Sequence, residues 1–212
     1  ATMSVKPRAF QRQYPPRWHS IINSPVGRLY VAASDNALTG IWYEEQAHFP
    51  LPHELGERIA DPAGLVAEAD EVAQAIGADA ERRGEHIYVA PARILAQTER
   101  ELDEYFRGRR TDFEVPLDPD GTDFQLAVWD YLKTVPYGYT VTYGEISRMV
   151  GPGAPAQAVG QAVGHNKIAI IIPCHRVLGA GGKLTGYAGG LDRKRWLLDR
   201  EEPKDIRSGR LF

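Results

Sequence analysis

Pro173-Cys174-His175-Arg176 joins a soft nucleophile, a base and a fixed cation in consecutive positions. A thiolate forms near neutral pH only beside a base or a positive field, and it is the thiolate that attacks carbon. His175 and Arg176 supply one of each. Adjacent side chains on an extended segment diverge, so cooperation between Cys174 and His175 needs a turn or a bridging water. The imidazole in turn needs a third group to fix its tautomer and balance its charge. Glu201 and Glu202, at the end of the last expected helix, are the candidates. A cysteine serving only as a small hydrophobe at the end of a buried strand is the competing reading. Downstream lies Gly179 to Gly190, in which six of twelve residues are glycine. Such a segment reads as a loop whose backbone approaches a ligand closely, although it lacks the Gly-Lys-Ser/Thr ending of a phosphate loop.

The elements that must position these groups fall into two parts. Residues 1–17 read as a flexible tail. Trp18–Ile22, Leu29–Ala33 and Leu38–Tyr43 are β-prone runs separated by turn signals, which predicts a meander of two hairpins. Residues 44–62 read as loop. Leu65, Ala69, Val72, Ala73, Ile76 and Ala80 fall at helical spacing, and a second helix runs from about Pro91 to Arg107. Thr111–Pro119 resembles a strand and linker and marks the expected boundary between an N-terminal α/β unit (18–115) and a mainly helical C-terminal unit (116–212). Thr122/Gln125 and Thr142/Glu145 are capping-box pairs, each opening a helix. A short helix ending near Val150, a Pro-Gly turn and a helix over Ala156–Val163 have the form of a helix-turn-helix, with a plain αα-corner as the alternative. The second of these helices is built almost wholly of Ala, Gly, Val and Gln, which favours close approach to another helix or to a nucleic-acid groove. Ile168–Ile172 reads as a buried strand leading into Cys174. In the last helix Asp192 is the expected cap, and Arg193-Lys194-Arg195 crowd the first turn, where the helix dipole disfavours cations. They are read as solvated or as phosphate contacts.

Composition narrows the function classes. The chain has 212 residues, 43% of them hydrophobic, and a formal net charge of −3. Broad non-specific polyanion binding is therefore disfavoured. Residues 1–115 carry 13 Lys and Arg against 18 Asp and Glu, whereas residues 116–212 carry 12 against 10. One cysteine excludes an internal disulfide and a Cys-rich zinc site. The six histidines show no metal-ligand spacing, and no run approaches the roughly 20 apolar residues of a membrane span. The N-terminus lacks the apolar core of a secretory signal. The expectation is a cytoplasmic protein without metal or membrane contact.

Pro173-Cys174-His175-Arg176-Val177, preceded by Gly164-His165-Asn166 and followed by Gly186-Tyr187-Ala188-Gly189-Gly190-Leu191 and Trp196-Leu197-Leu198, resembles the O6-alkylguanine-DNA alkyltransferases. Val135-Pro136-Tyr137-Gly138 and Thr142-Tyr143-Gly144-Glu145-Ile146 fit the same family. The likeness is strong over Gly121–Glu201 and loose over Trp18–Tyr43. It implies a ribonuclease-H-like N-terminal domain and a helix-turn-helix that binds the minor groove of double-stranded DNA. It also implies irreversible transfer of an alkyl group from a flipped O6-alkylguanine by a monomer that needs no cofactor and acts once per molecule, with O4-alkylthymine left open as a further substrate. By position, Cys174 would be the nucleophile, His175 its base through a water, Glu201 the group orienting His175, and Asn166 a brace for the active-site turn. Tyr143 would donate to the leaving guanine. Val177, Tyr187 and Ala188 would meet the base, while Ala156, Gln157, Ala158, Gly160 and Arg176 would complete the DNA-binding set. Two positions depart from the family pattern: Gln157 stands where an arginine finger is expected, and Ala188 where many relatives carry serine. The first leaves two alternatives, a lesion-recognition protein with little transfer and a member that dealkylates a small molecule.

Overall fold

The computed structural model describes residues 15–76, 88–151 and 153–202. Most of the expected tail and Ala80 lie outside them. Strands β1 (Trp18–Ser24), β2 (Gly27–Ala33) and β3 (Leu38–Tyr43) form the meander. β1 and β2 pair from Trp18↔Ala33 to Ser24↔Gly27. Their turn is closed by the Ser24 hydroxyl donating to the Gly27 carbonyl at 2.6 Å, with Gly27 at φ +99°, a conformation that favours glycine. The segment expected as loop instead holds a four-residue helix α1 (Pro52–Leu55) and a two-residue strand β4 (Glu57–Arg58). β4 pairs in parallel with β1, giving the sheet order β3-β2-β1-β4.

Helices α2 (Pro62–Ile76) and α3 (Val89–Phe106) pack on each other, and α3 covers the sheet. Its inward stripe of Leu95, Leu102 and Tyr105 is wholly buried. Each such large side chain contributes about 1.5–3 kcal/mol of burial free energy. Every residue of β3 is buried, because its outer edge is covered by later chain. Leu38 exchanges backbone bonds with Pro116 and Asp118 (both 2.8 Å), and Ile41 with Lys167 and Ala169 (2.7 and 3.1 Å). Of the expected strand at 111–119, only the isolated bridge Leu38↔Leu117 is realised.

The remainder is mainly helical: α4 (Asp123–Lys133), α5 (Tyr143–Val150), α6 (Ala156–Gly164) and α7 (Leu191–Glu201). Both capping boxes form, since each depends only on a side chain and a backbone N–H three residues apart. The Trp129 indole donates to the Ala162 carbonyl at 2.8 Å and locks α4 to α6. Strand β5 (Val141–Thr142) pairs in parallel with β6 (Val177–Leu178), fixing the start of α5 beside the cysteine turn. α7 begins from Gly190 without a side-chain cap, so Asp192 does not fill that role. Among the described residues no helix is long and apolar enough to cross a membrane.

Candidate active site

Ile168–Ile172 is not a strand. Apart from the Ile41↔Ile168 bridge it is a buried, doubled-back turn. Ile171 N–H donates to the Ala169 carbonyl at 2.9 Å around Ile170 at φ +72°. Cys174 N–H then donates to the Ile172 carbonyl at 2.8 Å around Pro173 at φ −82°, ψ 63°. The second is an inverse γ-turn, and the first has the hydrogen bond and φ of the rarer, strained γ form. Asn166 holds both. Its Oδ1 accepts from Ile168 N–H (3.1 Å), and its Nδ2 donates to the Ile172 carbonyl (2.8 Å) and to Cys174 Sγ (3.1 Å). An apolar run thus becomes a turn because one amide satisfies backbone groups that a strand would have paired with a neighbour.

Cys174–Arg176 forms a single 3-10 turn. Three residues per turn send three successive side chains in three directions, and here each has its own surroundings. The Cys174 sulfur faces Asn166, Tyr187 and the charge of Lys194. His175 Nε2 lies 2.8 Å from Glu201 Oε1. Arg176 donates through Nε to Glu201 Oε2 (2.7 Å), through Nη2 to Oε1 (2.9 Å), and through Nη1 to the Val135 carbonyl (2.6 Å). Glu201 also accepts from the Tyr105 hydroxyl at 2.8 Å and from Gly138 N–H at 3.4 Å. Arg176 is therefore not a DNA contact, and it does not supply the field at the sulfur. It is buried and committed to Glu201.

Protonation states follow from this packing. Burial alone would raise Glu201, but the hydrogen bonds from His175 and Arg176 outweigh it and hold the carboxylate far below its ordinary range. Burial lowers His175, with Arg176 and Lys194 adding to the effect against the pull of Glu201. A neutral imidazole whose Nε2–H points at a carboxylate carries its lone pair on Nδ1. That atom is buried and has no partner among the described residues. Burial raises the Cys174 thiol, opposed first by the Asn166 amide and then by Lys194 and Tyr187. The resting pair is thus a thiol beside a neutral imidazole.

Lys194 is the cation that sequence reasoning assigned to solvent or phosphate. It is wholly buried, and its ammonium donates to the carbonyls of Val177, Thr185 and Gly186 at 2.5, 2.7 and 3.0 Å. Desolvation pushes it down to about 8. Neighbouring Arg193 donates to the Val26 and Gly189 carbonyls, leaving Arg195 as the exposed member of the three. A signal was present, because Lys194, Leu197 and Glu201 share the buried stripe of α7, where a charged residue must have an internal partner.

The other expected residues are distributed around this centre. Tyr143 opens α5 partly buried, its hydroxyl close to Gly186; burial raises it, with Cys174 adding to the shift. The Tyr187 hydroxyl lies 2.8 Å from that of Tyr43. The Ala188 carbonyl accepts from Ala47 N–H at 3.1 Å. The Val177 carbonyl, expected at the base edge, already accepts from Lys194. On α6, Ala156 and Gln157 are exposed and Ala158 and Gly160 partly so, while Val159, Ala162 and Val163 face inward. In the sequence, Tyr43 is only the end of a β-prone run and Tyr105 only a position in an expected helix.

Two family models match the chain: "6-O-methylguanine DNA methyltransferase, ribonuclease-like domain" over residues 65–119, and the DNA binding domain of the same name over residues 123–203. A methylated-DNA--protein-cysteine methyltransferase of Mycobacterium tuberculosis is 40% identical over 183 residues, covering 86% of this chain and 91% of that protein. One from Methanosarcina acetivorans is 51% identical over 114 residues, 54% of this chain and 73% of that one. The crystal structure of Mycobacterium tuberculosis OGT in complex with DNA superposes with a TM-score of 0.66 at 41% identity, covering 89% and 96% of the two chains.

Proposed function

Since the chain belongs to the 6-O-methylguanine DNA methyltransferase family, we propose that it repairs DNA by moving an alkyl group irreversibly from O6 of guanine to the sulfur of Cys174. The observation that carries this reading is the joint placement of Asn166 on the sulfur and of Glu201 on the adjacent His175.

The thiol proton leaves to His175 Nδ1 through a water, and Glu201, already fixed by Arg176 and Tyr105, balances the imidazolium charge. Sγ attacks the alkyl carbon. The carbon–O6 bond breaks with its electron pair moving to the guanine, whose developing charge is met by a hydrogen bond or proton from Tyr143. The resulting thioether has no hydrolysis route here, so each molecule acts once.

The target must leave the base stack to reach a buried sulfur. The exposed small-residue face of α6 lies in the minor groove, α5 and α6 acting as a helix-turn-helix on a ribonuclease-H-like partner domain. Gln157 fills the gap in the stack without adding a cation, so DNA binding is weaker and less salt-dependent than with arginine. Ala188 offers the base its backbone N–H in place of a serine hydroxyl. The protein works as a cytoplasmic monomer, and O4-alkylthymine is the second substrate to test.

Intact-protein mass spectrometry after incubation with an O6-methylguanine duplex, beside Cys174→Ser, tests the reading. One methyl mass on the wild type and none on the variant is expected. No mass change with DNA binding retained would replace it with lesion recognition; no change and no binding would favour a small-molecule donor.

A further inference from the structure

We propose that Arg193 is a positioning residue for alkyl transfer. From α7 it fastens the Tyr187–Gly189 segment of the glycine loop to the hairpin turn between β1 and β2, so that the N-terminal sheet sets where that segment meets the base. The inference rests on the reading above, in which Ala188 offers the guanine its backbone N–H.

Arg193 lies in the first turn of α7, where the helix dipole disfavours a cation. It is held there by acceptors from two parts of the fold. Nε donates to the Val26 carbonyl of the β1–β2 turn at 2.7 Å, and Nη1 donates to the Gly189 carbonyl at 2.8 Å. The guanidinium carbon stands 5.0 Å from the centroid of the Tyr43 ring. Glycines make room on both sides. A Cβ at Gly27 would come within 3.2 Å of Nη2, and one at Gly189 would meet the Tyr43 ring at 2.4 Å. A guanidinium presents its donors along a rigid plane and can bridge two fixed acceptors, whereas an ammonium gathers its donors at one point.

The loop is thereby gripped from two directions. Lys194 ties the Thr185 and Gly186 carbonyls to that of Val177, on the strand that follows the cysteine turn. The sheet and Arg193 hold the residues that come next. The Tyr43 hydroxyl lies 2.8 Å from that of Tyr187, Ala47 N–H donates to the Ala188 carbonyl at 3.1 Å, and Arg193 takes Gly189. Gly186, at the joint, faces the Tyr143 hydroxyl, which a Cβ there would approach to 3.5 Å. The segment therefore spans from the phenol assigned to the leaving guanine to the N-terminal sheet. Misplacing such a segment by about 1 Å can lower a rate roughly a hundredfold.

Arg193→Met keeps the stem and removes the donors, while Arg193→Lys keeps the charge and removes the fork. In single-turnover assays on an O6-methylguanine duplex, both should slow methyl transfer at saturating DNA by about tenfold to a hundredfold. The final methylated fraction, and the affinity of Arg193→Lys for unmodified duplex, should match wild type. Hydrogen exchange gives a reading without DNA. The Ala47 amide, bonded to the Ala188 carbonyl, should exchange faster in both variants, and the Leu38 amide, bonded to Pro116, should not. A saturating rate within about twofold of wild type in either variant, or equal acceleration of both amides, would overturn the proposal. A lower final fraction at an unchanged rate would do the same, since it reports unfolded molecules. Should Arg193→Met not fold, Arg193→Lys alone is read by these criteria. If wild type takes no methyl, the alkyl-transfer reading falls, while exchange at Ala47 still decides whether Arg193 holds the loop.

Discussion

The Glu201 carboxylate, bound by two residues of the 3-10 turn, and the Cys174 sulfur that opens it are supported very differently. Glu201 is saturated: His175, Arg176 twice, Tyr105 and Gly138 all donate to it. The sulfur receives one amide at 3.1 Å and the field of a lysine that is itself bonded elsewhere. The charge that must never move is locked by many donors. The group that must change its charge is left few, and those oppose burial without overcoming it.

Removing the saturated side should do the most damage. Glu201→Ala strands a buried guanidinium and a buried imidazole, and it should lower unfolding free energy by about 3–5 kcal/mol in urea titrations, with methyl transfer lost. A loss below about 1 kcal/mol would erase the contrast. Asn166→Ala strips the thinner side. It should destabilise by about 1–3 kcal/mol, the range for unsatisfied backbone groups in the turn, and shift Cys174 labelling to higher pH. A labelling profile unchanged in Asn166→Ala would show that the amide only braces backbone.

Acid separates the two sides further. His175 is depressed below 6.5 in the fold, so its stabilising contribution is present above pH 6.5 and is lost as pH falls toward its folded value. Glu201 is depressed below 4.5, so its contribution is lost only under more acid conditions. His19, also lowered chiefly by burial, adds to the first loss. The melting temperature of wild type should begin to fall just under pH 6.5, and His175→Gln should blunt that early portion while leaving the fall below pH 4.5. Smallest of all should be the effect of Gln157→Arg on stability, within about 0.5 kcal/mol for an exposed site. Its effect belongs on DNA: tighter binding and a salt slope steeper by about one ion. Binding no tighter than wild type would remove the case for a missing finger.

What could be read from sequence was whatever depends on short spacing or on residue chemistry. The capping boxes at Thr122 and Thr142, the meander strands and the helix α3 are of that kind. The turn at 168–172 was misread because an apolar run looks the same as strand or as buried turn, and Asn166, which decides between them, acts through its side chain. Arg176 and Lys194 were misplaced because their acceptors lie far away in sequence: Arg176 reaches back to Val135 and forward to Glu201, and Lys194 reaches Val177. Tyr43 and Tyr105 carried no signal beyond lying in an expected strand and an expected helix. Their partners, Tyr187 and Glu201, come from the far end of the chain.

The covered edge of β3 also sets a timetable for birth on the ribosome. Ile41 finds its backbone partners only at Lys167 and Ala169. At about 5–20 residues per second, the chain between them takes roughly 6–25 s to synthesise. For that interval the nascent N-terminal sheet offers an open strand edge, the kind of surface on which two incomplete chains pair with each other. Conditions that slow translation across the helical half should therefore reduce the yield of correctly folded protein, even with every residue intact.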